Sequence, residues 1–91
     1  MSLRDLEKIG VLQILSYLSK MKSAKRKDLK ENVKAVSETI YSALEILRRL
    51  GLVEEFVSHS FPKTTEVYLT EKGAIVARRL VEIEDVLKAE E

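Results

Sequence analysis

The chain has 91 residues, 45% of them hydrophobic, enough for one small aliphatic core and one domain. Charged residues make up 34% yet leave a net charge of only +1, and Cys is absent, which excludes a disulfide framework, a thiol nucleophile and a thiolate metal site. No apolar run reaches the roughly 18 residues that cross a bilayer, and Met1-Ser2-Leu3-Arg4-Asp5 lacks the plan of a signal peptide, so a soluble, cytoplasmic protein is expected.

Leu3, Leu6, Ile9, Leu12, Leu15 and Leu18 recur every three residues, widened by Val11, Ile14 and Tyr17, and predict a buried first helix over 3–19. Ser2 followed by Asp5 resembles a capping box at its start. Lys20-Met21-Lys22-Ser23 breaks the pattern, and Ser23 can cap a short second helix over 24–33 anchored only by Leu29 and Val33. Ser37 is the expected N-cap of a third helix over 37–50, with Val36 stapled against Tyr41. Ile40, Ala43, Leu44, Leu47 and Leu50 keep one face of that helix apolar until Gly51 ends it. The opposite face carries Glu38, Ser42, Glu45 and Arg49, flanked by Thr39, Tyr41 and Arg48.

Two segments rich in Val, Phe, Tyr and Thr, 52–58 and 64–70, enclose the only Pro and predict a hairpin with a longer loop. Thr70 can then cap a last helix over 71–89. That helix bears Val76, Leu80, Ile83 and Leu87 beside a second stripe of Ala74, Ala77 and Val81, so it needs two neighbours.

Charge is unevenly spread. Residues 20 to 34 hold Lys20, Lys22, Lys25, Arg26, Lys27, Lys30 and Lys34 against Asp28 and Glu31, a local excess of +5, while every other segment is neutral or negative. His59 is the only His, and Gly10, Gly51 and Gly73 are isolated, so neither enzyme activity, nor a metal site, nor a cofactor is expected.

The order helix, helix, turn, helix, hairpin, helix resembles the winged-helix (winged helix-turn-helix) DNA-binding domain, in particular small archaeal and bacterial regulators of the MarR and PadR type. The phrases that carry the resemblance are Lys27-Asp28-Leu29-Lys30, Ser37-Glu38-Thr39-Ile40-Tyr41-Ser42-Ala43-Leu44, Leu47-Arg48-Arg49-Leu50-Gly51-Leu52-Val53-Glu54 and Tyr68-Leu69-Thr70-Glu71-Lys72-Gly73. They span about residues 5 to 80. The resemblance implies a mainly α fold with a small β-hairpin (α+β), a recognition helix over 37–50 and a wing tip over 59–64. It also implies a transcriptional regulator bound to double-stranded DNA. Two positions depart from the usual pattern: Lys34-Ala35 stands where the turn commonly has a Gly, and Glu38 and Glu45 stand where a basic residue is more usual.

On this reading Lys25, Arg26, Lys27 and Lys30 meet phosphate, where helix-turn-helix proteins place the start of their second helix. Ser37, Glu38, Thr39, Tyr41, Ser42, Glu45 and Arg49 face the major groove, the Glu side chains as acceptors for cytosine N4. His59, Lys63 and Thr64 form the wing contacts to backbone or minor groove. Leu3, Leu6, Leu80, Ile83 and Leu87 are surplus apolar residues expected at a homodimer interface, which is also the only space for a small-molecule effector. The alternative is a winged helix used as a protein-interaction module in a transcription, replication or chromatin assembly, with Glu38 and Glu45 against a basic partner.

Overall fold

The computed structural model describes residues 2–89. A short 3-10 helix, Leu3–Glu7, leads into α1 (Val11–Met21), β1 (Ser23–Lys25), α2 (Arg26–Asn32), α3 (Ser37–Arg49), β2 (Val53–Val57), β3 (Thr65–Leu69) and α4 (Glu71–Ala89). The three strands form one antiparallel sheet in the order β1-β3-β2.

The first helix does not run unbroken over 3–19. Its period of three is that of a 3-10 helix, and the chain adopts one as far as Glu7, with Asp5 Oδ2 accepting from the Ser2 N–H at 3.2 Å. Gly10 then takes φ +87° and starts a separate α-helix. A Cβ there would lie 3.5 Å from Ala43 Cβ, so Gly10 is also where this turn packs onto α3. Val11, Ile14, Leu15 and Leu18, at i, i+3, i+4 and i+7, form the buried face of α1, while Leu3 and Ile9 are exposed.

The second helix also starts later than the sequence predicts. Lys22, at φ +68°, reverses the chain, and Ser23, Ala24 and Lys25 pair with Tyr68, Val67 and Glu66 instead of opening a helix. The segment covers the edge of β3 that the hairpin leaves unpaired, which outweighs the capping preference of Ser23. The cap position falls to Lys25, whose N–H donates to Asp28 Oδ2 at 3.1 Å. In α3 the cap position is Val36, whose carbonyl accepts from the Ile40 N–H at 3.1 Å. Ser37 is therefore the first helical residue rather than the cap, and Val36 is exposed rather than stapled on Tyr41.

Residues from every layer meet in one core: Val11, Ile14, Leu15 and Leu18 of α1, Leu29 of α2, Ile40, Leu44 and Leu47 of α3, and Val67 of β3 are all fully buried. Each contributes about 1.5–3 kcal/mol relative to an exposed side chain.

The junctions around the hairpin are closely stitched. Gly51, at φ +75°, donates its N–H to Arg48 O at 3.0 Å, and the Leu52 N–H reaches Leu47 O at 2.9 Å. Both bonds belong to a Schellman stop, with Leu52 packed back onto the same core as Leu47. Leu52 O accepts from the Thr70 N–H at 3.0 Å, and Thr70 Oγ1 donates to Gly51 O at 2.6 Å while accepting from the Gly73 N–H at 2.9 Å. Thr70 thus caps α4, as its place in the sequence predicts. Lys72 Nζ donates to Leu50 O at 3.1 Å.

Candidate nucleic-acid interface

The basic segment and the wing, more than thirty residues apart in sequence, face each other across one groove of about 550 Å³. Lys25, Arg26, Lys27 and Asp28 line one side and Pro62, Lys63, Thr64 and Thr65 the other. The strand pairing creates this juxtaposition: Lys25 lies opposite Glu66 in the β1–β3 ladder, so the start of α2 sits beside the end of the wing. Asp28 is the groove's only carboxylate, and it is engaged by the Lys25 N–H. Anions would therefore meet a surplus of positive charge there.

The four cations predicted to meet phosphate have different surroundings. Lys25, Lys27 and Lys30 are exposed. Arg26 is half-buried: its Nη2 donates to Glu55 Oε2 at 2.7 Å, and Glu55, on the core side of β2, keeps only 9% of its side chain exposed. The Arg26 guanidinium also lies 5.1 Å from the Tyr41 ring centroid, and Lys30 Nζ stands at the same distance. Arg26 thus links α2, α3 and the wing, and Tyr41 marks the seam where α2 meets α3. A hydrogen bond from Lys30, joined by the positive charges of Lys30 and Arg26, holds the Tyr41 hydroxyl below the usual tyrosine range.

On α3, Ser37, Glu38, Tyr41, Ser42 and Glu45 are exposed together on the first turns. Two predicted contact residues stand apart. Thr39 is half-buried with its methyl group toward Gly10 at the foot of α1. Arg49 lies twelve residues beyond Ser37, about 18 Å along the axis, and lines a small pocket with Asp5, Ile46 and Leu50. Among the described residues Glu38 and Glu45 take part in no ion pair.

The wing hairpin pairs Val53 with Leu69 through to Val57 with Thr65, and the Ser58 N–H donates to Thr64 O at 2.8 Å. That bond closes a loop of 59–63, the gap expected from the sequence. His59 and Lys63 are exposed and Thr64 half-buried. On the outer face Tyr68 donates its hydroxyl to Glu54 Oε2 at 3.0 Å, and this bond, with the carboxylate's charge, raises the tyrosine above its usual range. Phe61, marked by the sequence only as part of the wing loop, is 98% exposed at the wing tip. Its only signal in the sequence is a large ring set among turn residues.

The five residues predicted at a dimer interface fall on two grooves. Leu3 and Leu6 join Leu50, Leu52 and Val76, while Leu80, Ile83 and Leu87 join Leu12 and Tyr17 between α1 and α4. Ser16 Oγ donates to Glu84 Oε1 at 2.9 Å across the second. Ile83 is 57% and Leu87 64% exposed. Among the described residues no helix is long and apolar enough to cross a membrane.

Several solved structures that share this architecture are described as transcriptional regulators. A transcriptional regulator homologue from Pyrococcus horikoshii OT3 superposes with a TM-score of 0.80 at 20% identity, over 97% of this chain and 89% of that one. A MarR-family protein from Enterococcus faecalis V583 gives 0.83 at 16% identity, over 96% and 79%. FabT of Streptococcus pneumoniae, solved in complex with DNA, gives 0.77 at 17% identity, over 90% of this chain and 57% of that one. The shared fold is the winged helix, with α2 and α3 as its helix-turn-helix and the β2–β3 hairpin as its wing. No protein-family profile and no curated sequence matches the chain.

Proposed function

We propose that this chain is a homodimeric transcriptional regulator that binds double-stranded DNA sequence-specifically. The exposed face of α3 lies in the major groove, α2 and the wing grip the flanking backbone or minor groove, and the apolar residues of α4 and the N-terminal segment join two copies. The observation that carries this reading is the groove in which Lys25 and Lys27 face Lys63 and Thr64, beside the exposed polar turns of α3. A sugar-phosphate strand is the ligand whose charge and shape suit that groove. Likeness to a protein solved on DNA supports it.

Phosphate contacts leave a salt signature. Affinity for a duplex selected from a random pool is expected to fall steeply between about 50 and 200 mM salt. Lys25→Ala, Lys27→Ala and Lys63→Ala should each flatten the log–log salt slope by about 1.8, one lost phosphate contact in each protomer of the dimer. Arg26 is kept in place because it also holds Glu55. An unchanged slope in all three variants refutes the assignment.

Glu38 and Glu45, exposed and in no ion pair among the described residues, favour one second reading, a module whose α3 binds a basic protein partner. Glu38→Ala and Glu45→Ala separate the two. A regulator loses preference at particular base pairs, whereas an interaction module gains indiscriminate DNA affinity and loses its partner.

A further inference from the structure

Phe61 is 98% exposed at the end of the wing, so it makes almost no contact with its own chain. The loop that presents it is held at its base, by the Ser58 N–H on Thr64 O at 2.8 Å and the Ser60 N–H on Ser58 Oγ at 3.3 Å. Its neighbours Pro62 and Lys63 line the basic groove opposite Lys25, Arg26 and Lys27, whereas Phe61 itself is not part of the lining. In the proposed complex a phosphate strand seated in that groove has α3 and the major groove on one side, and the minor groove, at the wing tip, on the other.

Resting on the DNA-binding reading, we propose that Phe61 is an apolar wedge: it enters the minor groove beyond the strand held between Lys25 and Lys63 and partly unstacks one base step there. A ring at the tip of a braced loop beside fixed cations suits a polyanion whose interior offers stacked apolar faces, and an inserted Phe kinks such a duplex. The ring contributes contact with the stack while Lys63 neutralises the adjacent phosphate. The wedge adds preference for easily unstacked pyrimidine–purine steps at positions α3 does not reach.

The test uses the full chain and a selected duplex carrying 2-aminopurine at successive steps outside the α3 contact region. Wild-type protein should raise the fluorescence at one step in each half-site. Phe61→Ala should abolish that rise and weaken binding about tenfold, with an unchanged salt slope. Phe61→Leu should keep most of both, and Lys63→Ala should flatten the slope but keep the rise. Since Phe61 touches almost nothing, Phe61→Ala should melt at the wild-type temperature, so a loss of binding cannot come from misfolding. If wild type binds DNA and Phe61→Ala neither changes affinity nor removes a fluorescence rise, the wedge is refuted while the DNA-binding reading stands. If wild type binds no duplex near 50 mM salt, both fall.

Discussion

Two glycines bracket the wing and do different work. A Cβ on Gly73 would sit 1.8 Å from Leu52 O, the oxygen that also accepts from the Thr70 N–H, so α4 can pack this closely only if residue 73 has no side chain. A Cβ on Gly51 would meet nothing within 4 Å, and there the demand is only for φ +75°. Gly73→Ala is therefore expected to destabilise by about 3 kcal/mol, the upper end of an overpacking cost. Gly51→Ala should cost about 1–2 kcal/mol, the penalty for a left-handed L-residue. Urea denaturation of both variants checks the ranking. Equal losses would mean that the Gly73 contact relaxes readily and the frame is less rigid than its bonds suggest. Domains of this size hold only about 5–14 kcal/mol in total, so Gly73→Ala removes a sizeable share.

Among the elements, the wing and the helix-turn-helix are coupled by one ion pair. Glu55 belongs to the core-facing row of the sheet with Ala24 and Val67, where an unpaired carboxylate would be costly. Arg26 reaches it from the first residue of α2 and still stands over Tyr41 of α3. Because Arg26 is about one-third exposed, the pair is worth less than a fully buried one. A double-mutant cycle with Arg26→Met and Glu55→Gln should give a coupling of about 1 kcal/mol. The pair would instead be incidental if the two effects simply add. Each single variant should also loosen the wing against α2, seen as faster amide exchange at the β1–β3 ladder than at the β2–β3 ladder.

For the whole molecule, α4 is the outlier. One face of its first half is covered, with Gly73 and Ala77 buried, but over 19 residues it extends about 28 Å, and Ile83, Val86 and Leu87 emerge exposed on its far half. In the proposed dimer this surface pairs with a second copy and sets two α3 helices about 34 Å apart, one duplex turn. Replacing Ile83 and Leu87 by Glu should leave the core intact and yield a monomer by sedimentation. Affinity for a palindromic duplex should fall at least about a hundredfold, since two linked half-sites become one. A double variant that stays dimeric would move the interface to the Leu3, Leu6 and Val76 groove.

Patterning along the chain was enough for the α3 face, the stop at Gly51, the five-residue wing loop and the cap at Thr70. Each depends on residues within a turn or two of one another, where local propensity and periodicity act directly. Tertiary contacts decided the rest. Gly10 breaks the first helix because it must pack on α3, and Ser23–Lys25 becomes a strand because β3 has an open edge, so a strong local cap lost to a long-range ladder. That same ladder carries the basic segment to the wing and turns Arg26 toward Glu55. A count of Lys and Arg could locate the positive charge at residues 20 to 34; only the three-stranded sheet could tell which of those charges line the groove with the wing and which brace the fold.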